Sequence, residues 1–244
     1  MSALSRNTKL YFEAHAHDYT RDPEFYSRIA KEIKKVMPVD RTPSLLDVGC
    51  GNGDFLKKLH EEGIKADYFG TDISSEMITI ARSNTSSQKI NFFVADGFSM
   101  PIKSDVKFDI IHIDCVLHHL IEHGRRESMN LVKKMIEILA TLLSSNGVLI
   151  IEEVYYDSYL IQTITSFAVF YGLKIINFLN LDLSRFNKQM RPGLEVNFLH
   201  ERQLFRLLEK YGSTYILNIL PWQIPKMYRF ALLRKWGFIT FVVR

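Results

Sequence analysis

The hydrophobic residues of this chain alternate between short unbroken runs and the three-to-four spacing of amphipathic helices. The runs are Ser44–Val48, Ala66–Asp72, Ile90–Val94, Phe108–Cys115 and Gly147–Val154, and each reads as a strand. The last three are almost continuously apolar, as parallel strands buried on both faces should be. Between the runs, helical spacing predicts helices over Asp54–Glu62, Ser75–Asn84 and Arg125–Leu143. Gly63 stops the first of these and Ser74 or Ser75 caps the second. Strands alternating with helices of this length predict a doubly wound, mostly parallel α/β sheet with helices on both faces.

The ends of the chain carry other patterns. Leu10–Val36 reads as helical, with Tyr11, Phe12, Ala14, His15 and Tyr19 first. A second helix starts after Pro23, capped by Asp22, with Phe25, Ile29, Ile33 and Val36 on one face. The strand–helix alternation stops after Glu153. Tyr155–His200 is aromatic-rich and mostly helical in spacing, through Ile161, Ile164, Phe167, Ala168, Tyr171, Ile175 and Phe178. A helix over His200–Tyr211 and strands near Thr214–Leu220 and Phe238–Val243 follow. Two closing strands joined by a short loop predict an antiparallel hairpin at the C-terminal edge of a seven-stranded sheet. The expected organisation is a single domain over 1–244: an N-terminal helical segment (1–43), an α/β core (44–154), a helical insertion (155–200), and a closing helix with its strands (201–244).

Composition narrows this picture modestly. The 244 residues are 47% hydrophobic and 24% charged, ordinary values for a soluble globular chain. A formal charge of +4 and a pI near 8.9 are not the footprint of a dedicated nucleic-acid binder. Two cysteines, Cys50 and Cys115, argue against a disulfide framework and a metal site, and fit a reducing cytoplasm. The N-terminal residues MSALSRNTKLYFEAHAHDY contain no signal-peptide core. Tyr159–Leu183 is apolar but broken by Gln162, Lys174, Asn177, Asn180 and Asp182, so a spanning helix is not expected. Contact with a membrane surface stays open as an alternative to a cover helix packed on the sheet.

The chemistry concentrates in Leu45–Leu56, LLDVGCGNGDFL. A strand ends at Asp47-Val48, Gly49, Gly51 and Gly53 occupy alternate positions, and Phe55, Leu56 and Leu59 begin a helix. Glycine lacks a Cβ and accepts positive φ, so the turn is tight and a ligand can approach bare backbone. The following helix aims unpaired N–H groups and a positive dipole end at the same place. An adenosine-containing cofactor is the expected ligand. A dinucleotide fingerprint would need its third glycine where this chain has Asp54.

Four segments together, DVGCGNGD, GTDIS (Gly70–Ser74), ADG (Ala95–Gly97) and FDIIHIDCVLHHL (from Phe108), resemble the class I S-adenosylmethionine-dependent methyltransferases. The resemblance covers about Leu45–Val154. It implies S-adenosyl-L-methionine as cofactor and a Rossmann-like sheet. Asp72 would then accept the ribose hydroxyls and Ile73 would pack on the adenine. Asp96 would meet the adenine amino group, with Gly97 and Phe98 flanking the ring. Asp47 and Gly49 would lie under the methionine part, Gly51 and Gly53 would also contact the cofactor, and Asp114 or its backbone would face its amino group. The N-terminal YFEAHAHDY resembles the lid of small-molecule methyltransferases, with Tyr11 and Tyr19 closing over the cofactor. The insertion at 155–200 would be a substrate cover.

On the acceptor side, His118 and His119 follow the fourth strand and have the pKa range of a general base. Glu152 and Glu153 are rival bases at the end of the fifth strand, and mid-strand His112 reads as a core residue. The expected acceptor is a small molecule with an apolar part, through an oxygen of a lipid-, quinone- or sugar-containing compound. Arg185, Lys188 and Arg191 are available to an anionic group on it. No metal and no nucleic-acid partner are expected, and the sequence gives no oligomeric state. Two alternatives stay open: a protein or RNA methyltransferase, and a non-catalytic cofactor-binding partner protein.

Overall fold

The structure, a computed structural model, describes residues 3–14, 23–38, 40–86, 89–159, 161–183, 195–221 and 233–244. The helices are α1 (Ala3–Ala14), α2 (Pro23–Val36), α3 (Asp54–Glu61), α4 (Ser75–Asn84), α5 (Arg125–Leu142), α6 (Gln162–Phe178) and α7 (Glu201–Leu208). The strands are β1 (Ser44–Val48), β2 (Asp67–Asp72), β3 (Ile90–Val94), β4 (Phe108–Asp114), β5 (Leu143–Ser158), β6 (Leu199–His200), β7 (Thr214–Pro221) and β8 (Leu233–Val243). They form a mixed sheet in the order β3-β2-β1-β4-β5-β8-β7, with the short β6 paired to β5. The predicted seven-stranded path is present, β7 and β8 are antiparallel as expected, and β6 is an eighth strand too short to leave a periodic signal.

Two compact units divide the chain. One holds Phe12–Asp114, Glu137–Ile150 and Arg244. Here β1 runs parallel to β2 and β4, and β2 parallel to β3. The register pairs Val48 with Thr71 and with Ile113, and Asp72 with Val94. The carboxyl ends of all four strands therefore share one edge, where open α/β sheets bind ligands. Phe55, Leu56 and Leu59 of α3 and Met77, Ile78 and Ala81 of α4 are buried. Full burial of each large side chain is worth about 1.5–3 kcal/mol. The opposite end is pinned by Asp109, whose carboxylate accepts from Arg41, from the Ser44 amide at 2.9 Å and from the Ser144 hydroxyl at 3.1 Å.

The other unit holds Met1–Tyr11, Cys115–Ile136 and Ile151–Val243. The Asp157 carboxylate accepts from Arg234 Nε at 2.8 Å and lies 3.5 Å from His200 Nε2. His200 Nδ1 in turn accepts the Arg202 amide, capping α7. Phe198 packs edge-on against Trp236, 4.6 Å between centroids.

Three boundaries differ from expectation. β5 continues past Val154 through Tyr155–Ser158, because both tyrosines are buried and Tyr156 Oη donates to Ser166 Oγ at 2.6 Å. The segment expected to begin the insertion is thus strand. β8 starts at Leu233, five residues before Phe238, since Leu233 and Trp236 are buried around the charged Arg234-Lys235 pair that hid the pattern. α1 begins at Ala3, well before Leu10. The expected Asp22 cap lies outside the described residues.

Candidate functional site

The glycine turn is a hydrogen-bonded knot. The amides of Gly49 and Cys50 both donate to the Thr71 carbonyl, at 2.8 and 2.9 Å, and the Gly53 amide donates to Cys50 O. Gly49, Gly51 and Gly53 have φ of +75°, +51° and +80°, the left-handed region that side chains resist. At Gly51 a Cβ would enter open space, so the bare backbone there faces room for a ligand. At Gly53 a Cβ would lie 3.1 Å from Ala81 Cβ and from the Phe92 ring, so this glycine lets α3 pack closely. Asn52 Oδ1 accepts the Asp54 amide, and its amide group donates to Asp54 Oδ2 at 2.8 Å. Asp54 thereby places a carboxylate in the first turn of α3, favourably for the helix dipole.

Asp72 closes the turn from the end of β2. Its Oδ2 accepts the Gly51 amide at 3.0 Å and its Oδ1 the Ser74 amide at 2.9 Å. Ser74 Oγ then caps α4 through the Met77 amide. Burial raises the Asp72 pKa above the ordinary carboxylate value; the Ser74 and Gly51 amides oppose the shift and Asp47 adds to it. A carboxylate has about four acceptor positions, so some acceptor capacity remains beside the Gly51, Ser74 and Ile73 amides. Asp96, beyond β3, accepts the Phe98 amide at 3.0 Å, and its carbonyl accepts the Ser99 amide. This turn sets Gly97 and Phe98, which are partly exposed, beside it. Ile73 and Asp114 are likewise half-buried at the ends of β2 and β4. These residues fit an adenosine ligand: bare glycine backbone over open space, with a carboxylate at each of two neighbouring strand ends.

Asp47 behaves differently. It is buried and its Oδ1 lies 2.7 Å from His112 Nδ1, whose ring stacks on Phe55 at 3.7 Å. Asp47 and His112 are thus a core pair beneath the turn. Tyr11 is buried in α1, while Tyr19 lies outside the described residues, as do Arg185, Lys188 and Arg191.

In the other unit, Cys115 directly follows β4 with a φ of +54° and donates its amide to the Glu152 carbonyl at 2.9 Å. A short 3-10 turn, Leu117–His119, comes next. His118 is fully buried: its Nδ1 bonds Glu153 Oε1 and its amide donates to Glu153 Oε2 at 3.2 Å. The Val154 amide donates to Glu153 Oε1, and the Asn197 amide to the His118 carbonyl at 2.7 Å. Cys115, His118 and Glu153 bring ligand-type atoms within 4.8 Å of one another, but Glu153 already accepts these three hydrogen bonds. His118 is therefore held in place, and Glu153 is what holds it. His119 is half-buried as a whole, but its Nδ1 is shielded from solvent, and its ring lies 4.0 Å from that of His118. Burial, then the neighbouring His118, holds its pKa well below the ordinary 6.5, against a smaller opposing effect of the Glu195 backbone. Glu152 is buried inside β5, with Thr240 Oγ1 at 3.5 Å. Sequence reasoning did not pair Glu153 with His118, nor find Asn197. Each lies far along the chain from the turn it supports, and the doublet Glu152-Glu153 was the only local signal.

Residues 40–211 match the family model described as methyltransferase domain. The chain belongs to this family, the class I S-adenosylmethionine-dependent methyltransferases. An uncharacterized methyltransferase of Schizosaccharomyces pombe is 26% identical over 129 residues, 52% of this chain and 47% of the yeast protein. An uncharacterized protein of Rickettsia prowazekii is 26% identical over 214 residues, covering 83% of this chain and 81% of that one. The chain therefore spans about half the length of the yeast relative. Among solved structures, magnesium protoporphyrin IX methyltransferase from Synechocystis with bound SAH superposes with a TM-score of 0.61. That comparison covers 99% of this chain and 100% of the cyanobacterial one at 15% identity, a likeness of fold.

Proposed function

We propose that this protein transfers the methyl group of S-adenosylmethionine to an oxygen of a small molecule with an apolar part, of the lipid-, quinone- or sugar-containing kind. The observation that carries the reading is the shared edge of β1, β2 and β3, which sets the glycine turn, Asp72 and Asp96 side by side. When bound, the cofactor supplies an electrophilic methyl on sulfur. The chain's own work is to hold and orient it. The Gly51 backbone gives close approach, the remaining acceptor positions of Asp72 take the ribose hydroxyls, and Asp96 takes the adenine amino group. Methyl transfer is an in-line displacement, so alignment and exclusion of water supply most of the catalysis. His119 is unprotonated at neutral pH and can accept the acceptor hydroxyl's proton; His118 and Glu153 fix the turn that carries it.

A small-molecule acceptor is supported by the solved relative that spans the whole fold, a methyltransferase of magnesium protoporphyrin IX. The test is incubation of the full chain with methyl-labelled S-adenosylmethionine and a cell extract. Label is expected in the organic-soluble fraction. Label in protein or RNA would overturn the acceptor class, and cofactor binding with no label anywhere would favour a non-catalytic partner protein.

A further inference from the structure

Helix α6 is built inside out. Its inward face carries Thr165 and Ser166, buried with Phe170, and the Ser166 hydroxyl accepts from Tyr156. Its outward face is apolar: Phe167 and Phe178 are 59% and 89% exposed, with Ile164 and Ile175 exposed beside them, and Ile161, Leu179 and Leu181 just beyond its ends are exposed too. Ile164, Phe167 and Ala168, Ile175 and Phe178 follow the three-to-four spacing of a single stripe. Scattered exposed apolar residues are normal, but a contiguous stripe this long marks an interaction surface.

No charge interrupts the stripe. Lys174 is the only charged residue from Tyr159 to Leu181. Its ammonium turns inward, donating to the carbonyls of Glu122 and His123 at 2.9 and 3.0 Å and lying 3.8 Å from Glu195. Aromatic residues stand at both ends, Tyr159 and Phe178, both exposed. The 17 residues of α6 extend about 26 Å, and no described helix is long and apolar enough to cross a membrane. An exposed, uncharged apolar stripe with an exposed tyrosine beside one end suits burial at a bilayer surface. Charge favours an anionic one only modestly: the chain carries +4 overall, and the sequence from Asp182 to Glu195 sets Arg185, Lys188 and Arg191 against those two acidic residues.

We infer that the outward face of α6 is a docking surface for an anionic lipid membrane. The surface stands independently of the methyl-transfer reading, and its test needs no turnover. The full chain is floated with phosphatidylcholine vesicles and with vesicles also containing phosphatidylglycerol. It should rise with the anionic vesicles and less with the neutral ones. The double variant Ile164→Glu, Phe178→Glu should partition about tenfold or more weakly. Both positions are exposed, so its thermal melt and S-adenosylmethionine affinity should match the parent. Hydrogen exchange on the parent chain provides a second readout, with residues 161–181 gaining protection when anionic vesicles are added. A parent chain that stays at the bottom of the gradient, or a double variant that floats equally well, would overturn the inference. So would a dimer that the same substitutions dissociate, without flotation, because the face would then belong to a second copy of this chain.

Discussion

In the proposed reaction, His119 is the side chain that would take the acceptor's proton. Its burial holds the pKa well below 6.5, so its unprotonated, proton-accepting form persists below neutrality. On this account turnover does not fall through pH 7 to 6 because of His119; the acid limb lies lower. His119→Ala should lower kcat by about a hundredfold to ten-thousandfold while leaving S-adenosylmethionine affinity unchanged. A normal rate in the variant would remove His119 as base. A limb centred near 6.5 that disappears in the variant would contradict the environment described for it. Asp72 stands out at this scale, because a carboxylate at the end of the strand after a glycine turn is a local pattern. Its bonds to the Gly51 and Ser74 amides were also foreseeable as turn chemistry. Glu153 was not readable as the partner of His118. The two are 35 residues apart, and nothing in the spacing selects Glu153 over Glu152.

At the scale of elements, strands and helices were legible wherever the period was clean. β1, β3 and α4 fall on their predicted residues, since apolar runs bounded by glycine, proline or serine leave little freedom. β5 and β8 ran longer than expected because aromatic residues and a charged pair obscured the alternation, while burial decided the outcome. The pin at the start of β4 was invisible, since Asp109 and Arg41 are 68 positions apart. It makes a pH prediction. The Arg41 hydrogen bond, helped by the Ser44 amide and the Ser144 hydroxyl and opposed by burial, holds the Asp109 pKa at about 2 against an ordinary 3.8. A depressed carboxylate stabilises the fold above its unfolded pKa, and that stability is lost as pH falls through the folded one. The contribution is therefore complete above about pH 4 and disappears toward pH 2. With allowance for the exposed Arg41 it is about 1–2 kcal/mol. Denaturant unfolding of Asp109→Asn should show that loss at pH 7 and a flatter acid limb between pH 4 and 2. Unchanged stability at pH 7 would contradict the pin.

For the whole molecule, parallel register is what brings separate motifs to one edge. Pairing Val48 with Thr71 and Asp72 with Val94 brings Gly51, Asp72 and Asp96 to one edge, though 45 positions of sequence separate the first from the last. Their common edge was legible because each motif sits at a strand end and strand order follows a familiar winding. The turn after β4 was less legible. It depends on long-range pairs such as Asn197 with His118, and no short motif encodes them. The central claim is that these strand ends hold S-adenosylmethionine through Asp72. Calorimetric titration of S-adenosylhomocysteine into the full chain and into Asp72→Ala tests it most directly. Saturable binding is predicted for the parent, weakened in the variant by about 1.5–3 kcal/mol, the scale of charge-assisted hydrogen bonds. Absence of binding to the parent, or equal affinity in the two proteins, would contradict it.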